Sequence, residues 1–191
     1  MSRYPHVIIF AGGKSSRMGK DKALLPFGQS NTLAEYQYNK LQKVFSHVSL
    51  SAKNDKFNFN CPVILDNYKE SSPLVGILSI FETLTDVDAV FILSVDAPFV
   101  GKAVIQSIME KESSEADVIV AKSPSGIQPL CALYKRSILI LAKEQYKQGN
   151  HKLQDLLTLA KTKIVLFSDD SPFTNLNHPN EYKEALERIL N

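Results

Sequence analysis

Val7-Ile8-Ile9-Phe10-Ala11 runs without a break into Gly12-Gly13-Lys14-Ser15-Ser16-Arg17-Met18-Gly19-Lys20-Asp21-Lys22. Five consecutive apolar residues ahead of a pair of glycines read as a buried strand. Glycines let the backbone turn sharply and bring its N–H groups up to an anion with no Cβ in the way. Arg17 and Lys22 then supply charge that the amides only partly provide. The plainer alternative is a turn between strand and helix surrounded by solvated lysines. Strand, paired glycines, the hydroxyls of Ser15 and Ser16 and the cation spacing occur together here, which favours phosphate. Two common phosphate loops are excluded by counting. A Walker A loop is G-x-x-x-x-G-K-[ST], whereas Gly13 and Gly19 stand one residue too far apart and Asp21 follows Lys20. In the dinucleotide fingerprint G-x-G-x-x-G, Lys14 would stand where the second glycine belongs.

Moving outward, apolar runs recur at Val48–Leu50, Val63–Leu65, Ala89–Val95, Val118–Ala121, Leu130–Tyr134 and Ile164–Phe167. Helical patterns lie between most of them. One spans about Leu33 to Phe45. Another starts near Leu74, with Leu74, Ile77, Leu78 and Phe81 on one face, and a third covers roughly Lys102 to Lys111. A longer helix follows Arg136 and stops before Gly149. The last repeats Tyr182, Ala185, Leu186 and Ile189 after Asn177-His178-Pro179, a cap candidate and a proline start. This alternation predicts a three-layer α/β arrangement, a mostly parallel (mixed) sheet with helices on both faces. Residues 1–191 carry no linker long enough to divide them, so one domain is expected.

A hydrophobic fraction of 44% and a charged fraction of 22% are those of an ordinary globular protein. The formal net charge of +2 leaves no nucleic-acid footprint, since basic residues gather only near the glycine segment. Val7–Ala11 is too short for a signal-peptide core and Ala89–Val95 far below membrane-spanning length, so a cytoplasmic location without membrane contact is expected. Cys61 and Cys131 are isolated and read as small buried hydrophobes in a reducing compartment. His6, His47, His151 and His178 show no zinc-ligand spacing, and His6 and His47 read as polar surface or loop residues.

In such sheets ligands bind at the carboxyl ends of the strands, beside a topological switch point. Three strand ends are chemically loaded: the glycine segment after Ala11, Asp66 after Val63-Ile64-Leu65, and Asp96 after Ala89–Val95. Asp96, in Ser94-Val95-Asp96-Ala97-Pro98, either forms the turn before Pro98 or holds Mg²⁺, which favours one or two carboxylates, waters and phosphate oxygens. Its pairing with a phosphate loop favours the metal. Asp66 either accepts hydrogen bonds from a ribose or base amino group or merely ends its strand. Gly76 sits in the first turn of a helix, where glycine costs about 1 kcal/mol relative to alanine. Close approach of ligand or backbone would explain it, as would tight helix–sheet packing. Asn177 caps the final helix, or faces the same cleft together with Asn175.

At these residues the chain resembles the molybdenum cofactor guanylyltransferases, within the wider nucleotidyltransferase group. The likeness runs from Phe10-Ala11-Gly12-Gly13 and Arg17-Met18-Gly19-Lys20-Asp21-Lys22-Ala23-Leu24-Leu25 through Asp66, Pro73-Leu74-Val75-Gly76 and Asp96-Ala97-Pro98. It continues through Gln128-Pro129-Leu130-Cys131-Ala132-Leu133-Tyr134 to Phe173-Thr174-Asn175-Leu176-Asn177-His178-Pro179-Asn180-Glu181. The resemblance implies a Rossmann-like nucleotidyltransferase fold and GMP transfer from GTP to the terminal phosphate of molybdopterin, metallated or not, with release of pyrophosphate. It further implies that Phe10, Ala11 and Gly12 line the guanine end, with Gly13 in the same loop, and that Arg17 and Lys22 hold phosphates. Asp66 would contact the nucleoside, Asp96 would bind Mg²⁺, and Asn175 and Asn177 would stand near the catalytic and pterin side. Ser51 replaces a frequent family asparagine, so that contact falls to Ser51 or Asn54. His178 replaces a usual threonine, which bears only on local capping. Related cytidylyl enzymes tend to carry alanine at the Gly12 position, and the missing Cβ leaves room for a purine. Docking with cofactor-insertion proteins or acceptor molybdoenzymes follows from the same resemblance. The nearest rival enzyme is a nucleotidyltransferase with another nucleotide or acceptor, by cytidylyl transfer to the same pterin or activation of a sugar phosphate, and the contrasting class is a GTP-binding regulatory or adaptor module without turnover. The intact Asp96, Arg17 and Lys22 favour the enzyme.

Overall fold

The computed structural model describes residues 4–12 and 19–190. Their strands are β1 (Tyr4–Phe10), β2 (Phe45–Ala52), β3 (Val63–Leu65), β4 (Ala89–Ser94), β5 (Val118–Ser123), β6 (Gly126–Lys135) and β7 (Thr162–Leu166). They form one sheet in the order β3-β2-β1-β4-β6-β5-β7. The β3-β2-β1-β4 portion is parallel, β6 runs antiparallel to both β4 and β5, and β7 is parallel to β5. The helices are α1 (Leu33–Leu41), α2 (Pro73–Thr83), α3 (Lys102–Met109), α4 (Leu139–Lys147), α5 (Leu153–Leu159) and α6 (Pro179–Leu190).

Alternation along the strands explains the three layers. In β1, Val7 and Ile9 point to the face covered by α1, α3 and α6, where Leu33, Leu41, Ile105, Ile108 and Ala185 complete the core. Ile8 and Phe10 point to the opposite face, against Leu74, Ile77 and Phe81 of α2, Ala142 of α4 and Leu156 of α5. Val90, Phe91, Ile92 and Leu93 of β4 are all fully buried. A strand covered on both faces has no polar side to show, which is why it reads as an unbroken apolar run. Each such side chain contributes about 1.5–3 kcal/mol when removed from water.

Local chemistry sets the helix starts. Thr32 Oγ1 accepts from Glu35 N (3.0 Å) at the head of α1, and Ser72 Oγ accepts from Val75 N (3.3 Å) at the head of α2, with Pro73 in the first turn. α1 ends at Leu41, and Phe45 opens β2 instead of closing the helix. The apolar Val44-Phe45 pair continues the helical spacing of α1, but Phe45 is buried from the sheet, packed against Phe91 at 5.8 Å. The sequence also gives no separate warning of α5. The antiparallel β6 follows from Gly126, whose φ of +128° lets the chain reverse directly after β5. Of the surface or loop positions expected for His6 and His47, the loop is wrong: both lie within paired strands, their rings stacked at 4.6 Å, with His47 exposed and His6 half-buried. Cys131 is buried as expected, whereas Cys61 is only half-buried. No helix among the described residues is long and apolar enough to cross a membrane.

The chain builds β1, β2 and β3 outward in one direction and then returns to place β4 on the other side of β1. The strand order therefore reverses between β1 and β4, and the crevice at their carboxyl ends is the switch point. The glycine segment and Asp96 leave the sheet on either side of it.

Candidate active site

Register brings the site together. Phe10 is paired with Ser51 on one side and with Ser94 on the other, so three strands end on one row. Beyond it, Ala11 N donates to Ser51 O (2.9 Å), Asp66 N to Ala52 O (3.1 Å) and Val95 N to Phe10 O (3.0 Å). These bonds carry the sheet one residue further and fix the points from which Gly12, Asp66 and Asp96 depart.

One cavity of about 330 Å³ is lined by Phe10, Gly12, Ser51, Asp66 and Gly76, together with Pro73, Ser94 and Leu130. Five sequence-predicted residues thus share one hollow. Burial raises the Asp66 carboxyl above its ordinary value, and Lys53 opposes that rise. Ser51 is 4% exposed and belongs to the cavity wall, whereas Asn54 is exposed and outside it. Gly76 is explained by packing: a Cβ there would stand 2.9 Å from Phe10 Cζ and 3.4 Å from Ser51 Oγ. A side chain would push the Phe10 ring out of its place in the wall. At Gly12 a Cβ would stand 3.6 Å from Ala52 Cα and 3.9 Å from Lys53 N and Ser51 O, ordinary contacts, so among the described residues there is room for a methyl group there.

Lys22 opens a short 3-10 turn (Lys22–Leu24) capped by Asp21, whose carboxylate accepts from Ala23 N (3.1 Å). Its ammonium reaches across the crevice to Asp96 Oδ2 (2.6 Å) and Asn177 Oδ1 (3.0 Å). Asp96 Oδ1 accepts from Ser94 Oγ at 2.5 Å. The two carboxyl-end segments are also joined through the backbone, Leu176 N donating to Asp96 O (2.9 Å). Asn177 therefore does not cap α6 with its side chain. Glu181 does that work, its carboxylate accepting from Asn177 N (2.6 Å) and His178 N (2.8 Å), so His178 is capped without a hydroxyl. Gly13 and Arg17 lie outside the described residues.

A second cavity of about 430 Å³ adjoins the first, sharing Pro73, Ser94 and Leu130 with it. Asp96, Asn175, Gln128, His151 and Lys152 line its polar parts and Ala97, Pro129, Leu153 and Phe173 its apolar ones. Both volumes are of the size that takes one small-molecule group. Ser94 lines both cavities, and its hydroxyl donates to Asp96 on the wall of the second, so the carboxylate stands beside the boundary between them. His151 Nδ1 lies 2.9 Å from Ser72 Oγ, tying the second cavity to the cap of α2.

The donor set suits a hard divalent cation. Asp96 offers a carboxylate, Asn177 an amide oxygen and Ser94 a hydroxyl, and two of these oxygens already surround a positive charge, the Lys22 ammonium. Among the described residues no cluster of three or more His, Cys, Asp or Glu forms a metal cage. A single-carboxylate site of this type is completed by water and substrate oxygens.

Lys56 escapes sequence reasoning. It reads as one more solvated lysine, yet Lys56 Nζ donates to Ala11 O (3.0 Å) and pairs with Asp21 Oδ2. Ala11 and Asp21 bracket the glycine segment, so one ammonium holds its two ends together. His151 and Lys152 are likewise unmarked by any motif in the chain, whereas Gln128 opens the Gln128–Tyr134 stretch that carries part of the family resemblance.

A mixed α/β sheet whose strand order reverses between β1 and β4, with a cavity at that reversal and a carboxylate just past the end of β4, has the layout in which α/β proteins bind small ligands. The model of the MobA-like NTP transferase domain matches residues 7–164. The chain is 36% identical over 184 residues to the molybdenum cofactor guanylyltransferase of Campylobacter jejuni strain RM1221, covering 95% of each. It is 35% identical to the protein of that name from Helicobacter pylori strain P12, over 94% of this chain and 90% of that one. Its fold is similar to a crystal structure of molybdopterin-guanine dinucleotide biosynthesis protein A from Archaeoglobus fulgidus, with a TM-score of 0.83 and 21% identity, covering 97% and 98% of the two chains. The chain belongs to the MobA-like NTP transferase family.

Proposed function

We propose that this protein transfers GMP from GTP to the terminal phosphate of molybdopterin, forming the guanine dinucleotide and releasing pyrophosphate. The observation that carries the reading is the pair of adjoining cavities that share Ser94, with Asp96 beside their boundary and the Lys22 ammonium bridging its carboxylate to Asn177. The nucleoside occupies the hollow of Phe10, Gly12, Ser51, Asp66 and Gly76, and the pterin the one lined by Asn175, His151 and Lys152. The similarity to relatives named for guanylyl transfer supports GTP as the donor.

An acceptor phosphate oxygen attacks the α-phosphorus, a new P–O bond forms, and the bond to the β-phosphate breaks as pyrophosphate leaves. The nucleophile is already anionic, so no general base is needed. Catalysis rests on alignment and charge neutralisation. Asp96, with Asn177 and Ser94, would hold Mg²⁺, which supplies charge stabilisation on the triphosphate oxygens. Lys22, released from Asp96, neutralises the departing phosphates as a point charge. Arg17, from the glycine segment, adds a forked donor to their outer oxygens. Lys56 ties Ala11 to Asp21, the two residues on either side of the phosphate loop. Delivery of the product to cofactor-insertion proteins or acceptor molybdoenzymes belongs to the same reading.

Purified protein is incubated with molybdopterin, Mg²⁺ and each of the four nucleoside triphosphates in turn, and pyrophosphate release and the dinucleotide mass are measured. Release with GTP alone is the expected result. Release with CTP in its place would make the protein a cytidylyl enzyme, and tight GTP binding without product would make it a binding module.

A further inference from the structure

The segment that leaves β4 carries Asp96 across the crevice beyond the last rung of the sheet, where carbonyls lose their ladder partners and must find others. Two side chains of α1 reach five of them, of which Ser94 O and Ala97 O also accept from Ala97 N (3.3 Å) and Val100 N (3.4 Å). Gln37 Nε2 donates to Ala97 O (3.0 Å), Ser94 O (3.3 Å) and Val95 O (3.4 Å). Lys40 Nζ donates to Pro98 O (2.7 Å) and Val100 O (3.0 Å). Asp96 O, the one between them, is taken by Leu176 N at 2.9 Å. Gln37 and Lys40 are three residues apart and so share one face of α1. The face they share is turned toward the segment bearing Asp96.

Gln37 is fully buried, where an apolar residue would pack at no polar cost. Its Oε1 finds no hydrogen-bond partner among the described residues, while its Nε2 is surrounded by three carbonyls. An amide kept inside a core with its acceptor unsatisfied is kept for its donor end. The crowding of carbonyls also fixes which way the amide points, since the reverse orientation would set oxygen against oxygen.

We propose that Gln37 and Lys40 are positioning residues for Asp96: together they clamp the backbone on both sides of it, and so set where its carboxylate stands relative to the nucleotide cavity. The proposal rests on the reading of Asp96 as the residue that holds the metal and triphosphate. The clamp does not touch Phe10, Ser51 or Asp66, so it governs the metal and the chemical step and leaves the grip on the nucleoside alone. Lys40 is matched to two carbonyls, an arrangement that the forked guanidinium of arginine also satisfies.

The test uses the full chain with Gln37→Met, Gln37→Glu, Lys40→Met and Lys40→Arg, each checked for folding by circular dichroism. Mn²⁺ binding is read by electron paramagnetic resonance, GMP binding by calorimetry, and pyrophosphate release over a range of Mg²⁺. Gln37→Met and Lys40→Met should each lower kcat about tenfold to a hundredfold, the size expected from displacing a catalytic group by a fraction of its length. Mn²⁺ binding should weaken in parallel, and GMP binding should stay within about twofold. Gln37→Glu sets a carboxylate against three carbonyls and should be the most severe. Lys40→Arg should recover most of the Lys40→Met loss. Folded methionine variants with wild-type Mn²⁺ affinity and kcat would overturn the proposal, as would equal losses of Mn²⁺ and GMP, which mark a general packing role. If the Gln37 variants do not fold, the contrast between Lys40→Met and Lys40→Arg decides. A wild-type chain that releases no pyrophosphate would instead count against guanylyl transfer, and the Mn²⁺ measurements would still judge the clamp.

Discussion

Removing the Lys22 ammonium should move two affinities in opposite directions. Its Nζ lies 2.6 Å from Asp96 Oδ2 and 3.0 Å from Asn177 Oδ1, and the side chains of the Lys22–Asp96 pair are each 16% exposed. A charge-assisted hydrogen bond of this kind contributes roughly 1.5–3 kcal/mol, a factor of about ten to a hundred in binding. In Lys22→Ala the β- and γ-phosphates lose that contact, so GTP should weaken by this factor while GMP, which lacks them, changes little. Asp96 meanwhile keeps the Ser94 hydroxyl on its other oxygen. A divalent cation no longer has to displace an ammonium from the carboxylate, so Mn²⁺ should bind more tightly in the absence of nucleotide. Calorimetric titration of GTP and GMP, with paramagnetic resonance of free Mn²⁺ alongside, reads both effects on one preparation. Equal losses for GTP and GMP would mean that Lys22 supports the fold and nothing more. Unchanged Mn²⁺ affinity would show that the Asp96 carboxylate is not where the cation goes.

Four further outcomes are expected. Asp96→Asn keeps the size but loses the charge, so Mg²⁺-dependent turnover should fall by about two orders of magnitude or more with little change in thermal midpoint; near-normal turnover would remove Asp96 from the site. Gly12→Ala should raise the KM for GTP more than that for CTP, by about 1–3 kcal/mol of overpacking against the larger base; since the methyl group meets only ordinary contacts within the protein, equal effects on both would assign Gly12 to the loop backbone. Gly76→Ala should gain about 1 kcal/mol of helix propensity yet weaken nucleotide binding, because the new Cβ would stand 2.9 Å from Phe10 Cζ; unchanged affinity in kinetic and binding assays would mean that the ring does not contact the base. Burial lowers the Lys40 ammonium from 10.5 to about 7, with Cys131 pulling the other way. Above that value the unfolded chain holds a proton the native chain has lost, so this residue makes stability rise with pH, by at most about 1.4 kcal/mol per unit between pH 7 and 8.5. Urea unfolding of wild type and Lys40→Met across that window should show the steeper rise in wild type, and identical slopes would contradict it.

The parts of this site that could be read from the chain are those whose chemistry is local. An apolar run that stops at glycines is a strand end whatever surrounds it, and Asp66 and Asp96 declare themselves by following such runs directly. The cluster itself is a product of topology. Lys22 and Asp96 are 74 residues apart, and Lys22 and Asn177 are 155 apart, so no spacing rule joins them. They meet because β4 returns to the far side of β1. Family resemblance supplies the same residues without that reason; the residues alone leave Asn177 between cap and cleft, and Glu181 occupies the cap.

What stayed hidden has a common physical form. Lys56, Gln37 and Lys40 act through backbone atoms of segments distant in sequence, and a carbonyl leaves no mark on the residue type that carries it. Lys56 looks like a solvated charge and Gln37 like an ordinary helix former until the strand ends are placed beside them. The consequence is specific. Side chains that touch nucleotide or metal are constrained by chemistry and can be found by motif, whereas those that hold the loops are constrained by geometry and need the sheet. Gln37 separates these two kinds of constraint most sharply: methionine preserves its shape and helix propensity, so any loss of metal binding in that variant comes from the three carbonyls it no longer holds.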